Sequence, residues 1–209
     1  MARYTGPVCR LCRRSGEKLM LKGDRCFTPK CAIDRRNRPP GSKKTSRFRR
    51  LSDRGFQLRE KQKTRYVYGM LERQFRRFFE IAVKQEGVTT DNLLVMLERR
   101  LDNVVLRLGF ADSRPQARQL VEHGHFLLNG RKNNVPSALV KEGDLISWRE
   151  GSTKSEYYKT LAKTIESKAV ATWLKLDKQA LSGQVVTMPT PEDTEAKFVG
   201  KSIVEYYSR

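Results

Sequence analysis

Cys9, Cys12, Cys26 and Cys31 are the four cysteines of the chain. They form two close pairs, with two residues inside the first, four inside the second and thirteen between them. Thiolates at such spacings suit a tetrahedral zinc ion, which takes sulfur at roughly 2.3 Å and tolerates short gaps within each pair. The loop from Arg13 to Arg25 brings the second pair back to the first, and neighbouring Arg and Lys side chains favour the thiolate form. Two disulfides or four plain buried thiols are the alternatives. A reducing compartment and the confinement of all four cysteines to 23 residues argue against both. Four sulfur ligands leave no open position for substrate. The cofactor expected is therefore one structural Zn2+, and no catalytic residue is expected.

A second constellation follows Ser113. Arg114 and Arg118 stand four residues apart, so on a helix they share a face away from Leu120 and Val121. His123, Gly124 and His125 follow at once. A helix end beside a short hairpin presents a small cationic surface of the kind that docks on phosphates and 2′-hydroxyls. By periodicity alone, a solvated helix face fits equally well. The two histidines have no Cys or carboxylate at ligand spacing and are assigned to a turn or to RNA contact. Arg100-Leu101-Asp102 is similar to the tripeptide that carries the catalytic aspartate of pseudouridine synthases. Here it lies in an apolar-periodic stretch with no accompanying catalytic domain, and a helix-surface ion pair is expected. There is no phosphate-binding glycine loop and no nucleophile elbow.

Charge points to the partner. The 209 residues carry 43 Lys and Arg against 23 Asp and Glu, a net charge of +20. Residues 1–66 hold 21 of the cations and 5 of the anions, a net of +16. A chain so charged repels itself unless a polyanion neutralises it, and Lys and Arg meeting phosphates release condensed counterions. The first residues carry no apolar stretch like a signal peptide, and no apolar run approaches the roughly 18 residues of a membrane span. A cytoplasmic location is expected.

These groups need elements to hold them. Residues 1–45 are rich in Arg, Lys, Cys, Gly and Pro, and residues 37–44 read as a linker because two adjacent prolines stop any helix. Ser52 caps a helix whose apolar positions include Phe56 and Leu58. Leu71, Phe75, Phe78, Phe79 and Ala82 form the stripe of an amphipathic helix. Leu93, Leu94, Leu97, Leu101, Val104, Val105 and Leu108 continue through a second long helix that Gly109 stops. Ser113-Arg114-Pro115-Gln116 is a capping box for a third, with Ala117, Leu120 and Val121 inside. Phe126–Leu128 reads as a strand and Asn129-Gly130 as a hairpin turn. Val135-Pro136, Leu139-Val140 and Leu145–Trp148 supply further short strands, and residues 154–167 look helical. The tail from Trp173 mixes short strands and turns, ending in Ser202–Tyr207.

At these residues the chain resembles the bacterial family of small ribosomal subunit protein four, across essentially its whole length. The resemblance rests on Met1–Pro7, Leu58–Lys63, Tyr68–Arg76, Leu97–Phe110, Ala117–Val121 and Val204–Arg209, and the cysteine spacing resembles the zinc-binding members. It implies an α+β fold with a mainly helical body, an inserted small α/β RNA-binding domain and a zinc-bearing N-terminal extension. The expected domains are a basic zinc-binding extension over 1–45, a helical rRNA-binding body over 46–98, the inserted domain over 99–162, and a C-terminal segment over 163–209 packing on the body.

The family implies a structural constituent of the small subunit that binds 16S rRNA first, nucleates assembly of the subunit body and contributes to translational accuracy. Its expected partners are small-subunit rRNA, neighbouring small-subunit protein five and messenger RNA at the entry path, with no membrane and no small-molecule substrate. Arg47 and Arg50 would lie near that path, and Arg114, Arg118 and His123 on the RNA face of the inserted domain. The other expected RNA contacts are Arg3, Arg13, Arg14, Lys22, Arg35, Arg36, Arg49, Arg59, Lys61, Lys63, Arg65, Arg76 and Lys132. Family members often read Pro-Gly-Gln-His-Gly where this chain has Pro40-Gly41-Ser42-Lys43-Lys44, which leaves the linker contacts and Arg47 open. An RNA-modifying enzyme and a zinc-dependent DNA-binding regulator compete with this reading. The first lacks a catalytic domain, and the second lacks a recognition helix paired with a dimerisation seam.

Overall fold

A computed structural model describes residues 3–41, 51–194 and 198–208. The chain divides into two compact units, Met1–Leu93 with Glu195–Arg209, and Leu94–Thr194. The described residues contain no helix long and apolar enough to cross a membrane.

The first unit is helical. It holds α1 (Cys9–Ser15), α2 (Ala32–Arg35), α3 (Asp53–Val67), α4 (Glu72–Lys84) and α10 (Gly200–Tyr207), and α5 (Thr89–Glu98) begins in it. Ser52 caps α3 as expected, its hydroxyl accepting from the Gly55 N–H at 3.2 Å. The inner face of α3 is not the apolar one. Phe56 and Leu58 are exposed, whereas Gln57, Glu60, Lys61 and Thr64 are buried. Polar burial is tolerated only with partners, and α10 with the residue before it supplies them. Gln57 donates to Glu205 at 2.8 Å, and Glu60 accepts from the Val199 N–H at 3.3 Å.

Phe75, Phe78, Phe79 and Ala82 are the buried stripe of α4. Tyr207 stacks on Phe79 and Phe75 with ring centroids 4.5 and 6.4 Å apart. The tail expected to end in strands and turns thus ends in a helix. Its β-branched and aromatic residues read locally as strand, but packing on α3 and α4 decides the outcome.

The second unit packs α6 (Leu101–Arg107), α7 (Arg114–Glu122), α8 (Glu150–Thr153) and α9 (Glu156–Thr164) with one five-stranded sheet. The strands are β1 (Phe126–Leu128), β2 (Arg131–Lys132), β3 (Leu145–Trp148), β4 (Leu174–Asp177) and β5 (Ser182–Val185). They lie in the order β2-β1-β3-β5-β4, and every pairing is antiparallel. Asn129 and Gly130 turn the β1–β2 hairpin with φ of 51° and 75°. Leu101, Leu108, Phe110, Phe126, Ile146 and Trp173 are core residues exposed by 2 % or less. Gly183 in β5 touches this core so closely that an added Cβ would collide with Leu108.

Three local expectations need correction. The long helix over residues 93–108 is two helices, because the chain turns extended at Arg100 (φ −67°, ψ 137°). The N–H groups of Leu101 and Asp102 are taken by the carbonyls of Ala138 and Pro136, at 2.8 and 3.1 Å, instead of by the previous turn. Arg100 and Asp102 accordingly form a buried bidentate pair, at 3.0 and 2.6 Å, and not a helix-surface one. Residues 135–140 form no strand and contribute one isolated bridge, Leu139 to Arg100. The capping box is not formed: the Ser113 side chain makes no capping bond, and Gln116 accepts at 2.8 Å from the N–H of Asp112, one residue before the cap.

Candidate nucleic-acid interface

In the second unit a buried polar chain sets the position of α7. Glu98, fully buried, accepts from Asn103 at 2.7 Å and from Arg107 at 2.9 and 3.1 Å. Arg107 also donates to the Asp193 carbonyl at 2.8 Å, and Asn103 accepts from Arg114 at 2.9 Å. Arg118 is 6 % exposed and pairs with Glu122 at 3.1 Å. Arg114 and Arg118 therefore work inside the unit. Their i, i+4 spacing located the face but not its burial.

The outward cations lie one step further along. His123 is exposed at the end of α7. Gly124 follows at φ 72°, and an added Cβ would stand 2.5 Å from Lys132 Cε, so the lysine stem crosses bare backbone there. Arg131 and Lys132 are both exposed on β2. Exposed Arg149 follows β3, its N–H donating to the His125 carbonyl at 2.9 Å. Burial lowers the pKa of His125, helped by the charges of His123 and Arg149, and its Nδ1 lies 2.9 Å from the Ser152 hydroxyl. Neutral His125 is thus a support beneath the cations of this face. Arg131 and Arg149 were missed in the sequence. For Arg149 the alternation of β3, which buries Ile146 and Trp148, was the available signal.

In the first unit Arg13, Arg14 and Arg59 come together on one cleft, with Asn37 and Pro39. The cleft widens between Arg14, Ser15, Leu51, Leu58, Gln62 and Tyr66. Arg59 is held by a hydrogen bond to the Ser15 carbonyl. Arg3, Lys22, Arg35 and Arg36 are exposed. Arg76 is exposed but reaches Glu80 at 3.1 Å.

Other expected contacts point inward. Lys61, 2 % exposed, pairs with Glu72 at 2.6 Å and lies over the Tyr206 ring at 4.8 Å. Lys63 pairs with Glu17 at 2.7 Å, and Arg65 is half-buried over Tyr66 at 4.9 Å. Arg47, Arg49 and Arg50 lie outside the described residues.

No disulfide joins any of the four cysteines. Cys9 and Cys12 sit on α1, Cys26 ends a short 3-10 turn, and Cys31 precedes α2. Burial raises the pKa of Cys12. A Leu19 N–H bond opposes this, and the other three sulfurs are near enough to raise it further. The Lys22 N–H donates to the Cys26 sulfur at 3.4 Å. Among the described residues, however, no three Cys, His, Asp or Glu side chains converge closely enough to hold a metal ion.

Comparison with known proteins matches residues 3–98 to the ribosomal protein S4/S9 N-terminal domain and residues 99–146 to the S4 domain. The chain is 58 % identical to small ribosomal subunit protein uS4 of Dehalococcoides mccartyi, over the full length of both. It is 55 % and 54 % identical to the proteins of that name from Halothermothrix orenii and a Geobacter species, again over the whole of each. A helical unit followed by a small antiparallel-sheet unit, with identity sustained end to end, leaves one assignment: the chain belongs to the uS4 family of small-subunit ribosomal proteins.

Proposed function

We propose that the chain is a structural component of the small ribosomal subunit in the cytoplasm and binds 16S rRNA through both units. The observation that carries this is how its charge is divided. Among the described residues, Arg13, Arg14, Arg131, Lys132 and Arg149 have no carboxylate at ion-pair distance, while Lys61, Lys63, Arg107 and Arg118 are matched inside. Cations left outward on a rigid support are what RNA phosphates and 2′-hydroxyls require. Assembly of the subunit body, a contribution to translational accuracy, a contact with small-subunit protein five, and messenger contact through Arg47 and Arg50 are further parts of this reading.

Filter binding to 16S rRNA across a salt series tests it. Six neutralised phosphates give a slope of log K on log salt of about −4 to −5. A flat response, or equal affinity for random duplex DNA, would overturn the proposal.

Cys9, Cys12, Cys26 and Cys31 would hold one structural zinc ion. No disulfide joins their thiols, and backbone N–H groups reach the sulfurs of Cys12 and Cys26, which suits thiolate ligation. The ion would contribute folding free energy, about 10–16 kcal/mol in small peptides at neutral pH. The N-terminal module has few other resources. Leu19, Leu21 and Ile33 are its buried aliphatic side chains. Elemental analysis should find one zinc per chain. Chelation or Cys26→Ser should remove amide protection from the first 45 residues and leave the rest protected. A metal-free protein with two disulfides, or whole-chain melting on chelation, would refute the site.

A further inference from the structure

The cleft beside α3 has two compartments that share Arg14, Pro39 and Arg59. The larger, about 590 Å³, falls within the roughly 300–1,000 Å³ of small-molecule sites. Leu51 and Leu58 wall it with apolar surface left 51 % and 38 % exposed, and Tyr66 adds an aromatic ring. Gln62 also lines it, and its Oε1 is buried with no hydrogen-bond partner. The smaller compartment, about 290 Å³, is cationic: Arg13 and Arg14 have no carboxylate partner among the described residues, and Arg13 Nε is buried without an acceptor.

Each feature narrows the occupant. A buried orphan acceptor calls for a ligand that brings an N–H. A bare phosphate brings none and gains nothing from leucine walls. A hydrocarbon leaves Gln62 and the arginines unsatisfied. A flat, N–H-bearing ring joined to a phosphate meets all three, and single-stranded RNA presents such groups when its bases unstack. We propose that this cleft takes one unstacked nucleotide of the RNA, its base between Leu58 and Tyr66 with an N–H on Gln62, and its phosphate against Arg13, Arg14 and Arg59. The inference rests on the RNA-binding reading above and goes beyond it by naming a base-dependent subsite.

The test uses the full chain and two probes, an adenosine pentaribonucleotide and its abasic counterpart, which share every phosphate. The wild-type chain should bind the first about tenfold more tightly, the equivalent of one stacked base. Leu58→Trp, which fills the larger compartment from an exposed position, should abolish that difference, Gln62→Leu should reduce it, and both should leave the abasic affinity unchanged. If Leu58→Trp melts early, Leu51→Trp plugs the same space and is read in the same way. Equal binding of both probes by the wild type would reduce the cleft to a phosphate site and overturn the proposal. So would a base preference that survives every plug, or plugs that lower the melting temperature without touching the preference, which would mean the chain fills the cleft itself. Failure of the broader reading would show separately, as wild-type 16S rRNA binding no tighter than random duplex DNA.

Discussion

Arg107 joins three parts of the second unit, holding both oxygens of Glu98 and the carbonyl of Asp193. Glu98 is fully buried, so truncating Arg107 takes two charge-assisted hydrogen bonds from a carboxylate that water does not reach. Removing one member of such a pair costs about 3–5 kcal/mol. Arg107→Ala should lower the denaturant midpoint by that order with little change in the slope of the transition, and an unfolding curve like the wild type's would show that Glu98 finds water in the folded state. Arg118→Ala belongs to the same class. Its side chain is 8 % exposed and tied to Glu122, so its loss should destabilise the unit. Equal stability of Arg118→Ala and wild type in free protein would return Arg118 to the outer face.

At the scale of elements, the packing of α3 on α10 turns on Glu72. Burial alone would raise its pKa. Hydrogen bonds from Lys61 and Tyr207, with the charges of Lys61 and Arg65, outweigh that and lower it below the ordinary 4.5. A carboxylate depressed in the folded state stabilises it above the unfolded pKa, and that contribution disappears as pH falls through the folded value. Acidification below about pH 4.5 should therefore loosen the helical unit, and Glu72→Gln should flatten this limb of the melting-temperature profile. An unchanged acid limb would assign the loss to other carboxylates.

The same helices show what the sequence could express. The Phe75–Ala82 stripe has a 3.6-residue period and hydrophobic side chains, so α4 was legible. Ser52 announced the start of α3, but its inner face is made of Gln57, Glu60, Lys61 and Thr64, which hydropathy reads as solvent-facing. Partners on other elements make that face interior, 148 residues away in the case of Gln57 and Glu205. In the candidate interface the spacing of Arg114 and Arg118 identified the helix, while the hydrogen bond from Arg114 to Asn103 on α6 is tertiary and the i,i+4 pair of Arg118 with Glu122, although local, does not reveal that the face is buried. His123 and Lys132 were legible because a turn signal places them at exposed ends.

Formal charge and RNA-facing charge are different quantities in the whole molecule. The chain carries a net +20, yet part of its cationic complement is consumed by carboxylates inside the two units. Lys61 and Lys132 make the comparison clean, since each is one lysine on an ordered element. Lys61 is buried against Glu72 and Tyr206, and Lys132 is exposed beside Gly124. Lys61→Met should keep the wild-type salt slope of RNA binding, because no phosphate contact is lost, and should lower the melting temperature by leaving Glu72 without its nearest counter-charge. Lys132→Ala should keep the melting temperature and reduce the magnitude of the slope by about 0.7–0.9, the contribution of one phosphate. Both measurements are made on the full chain with 16S rRNA between low and moderate salt. If both variants shift the slope alike, the protein attracts RNA as a diffuse cloud of charge and the arrangement of its outward cations is immaterial. If they separate as expected, counterion release counts only the cations that the fold leaves outside, and the buried ones belong to the stability of the scaffold.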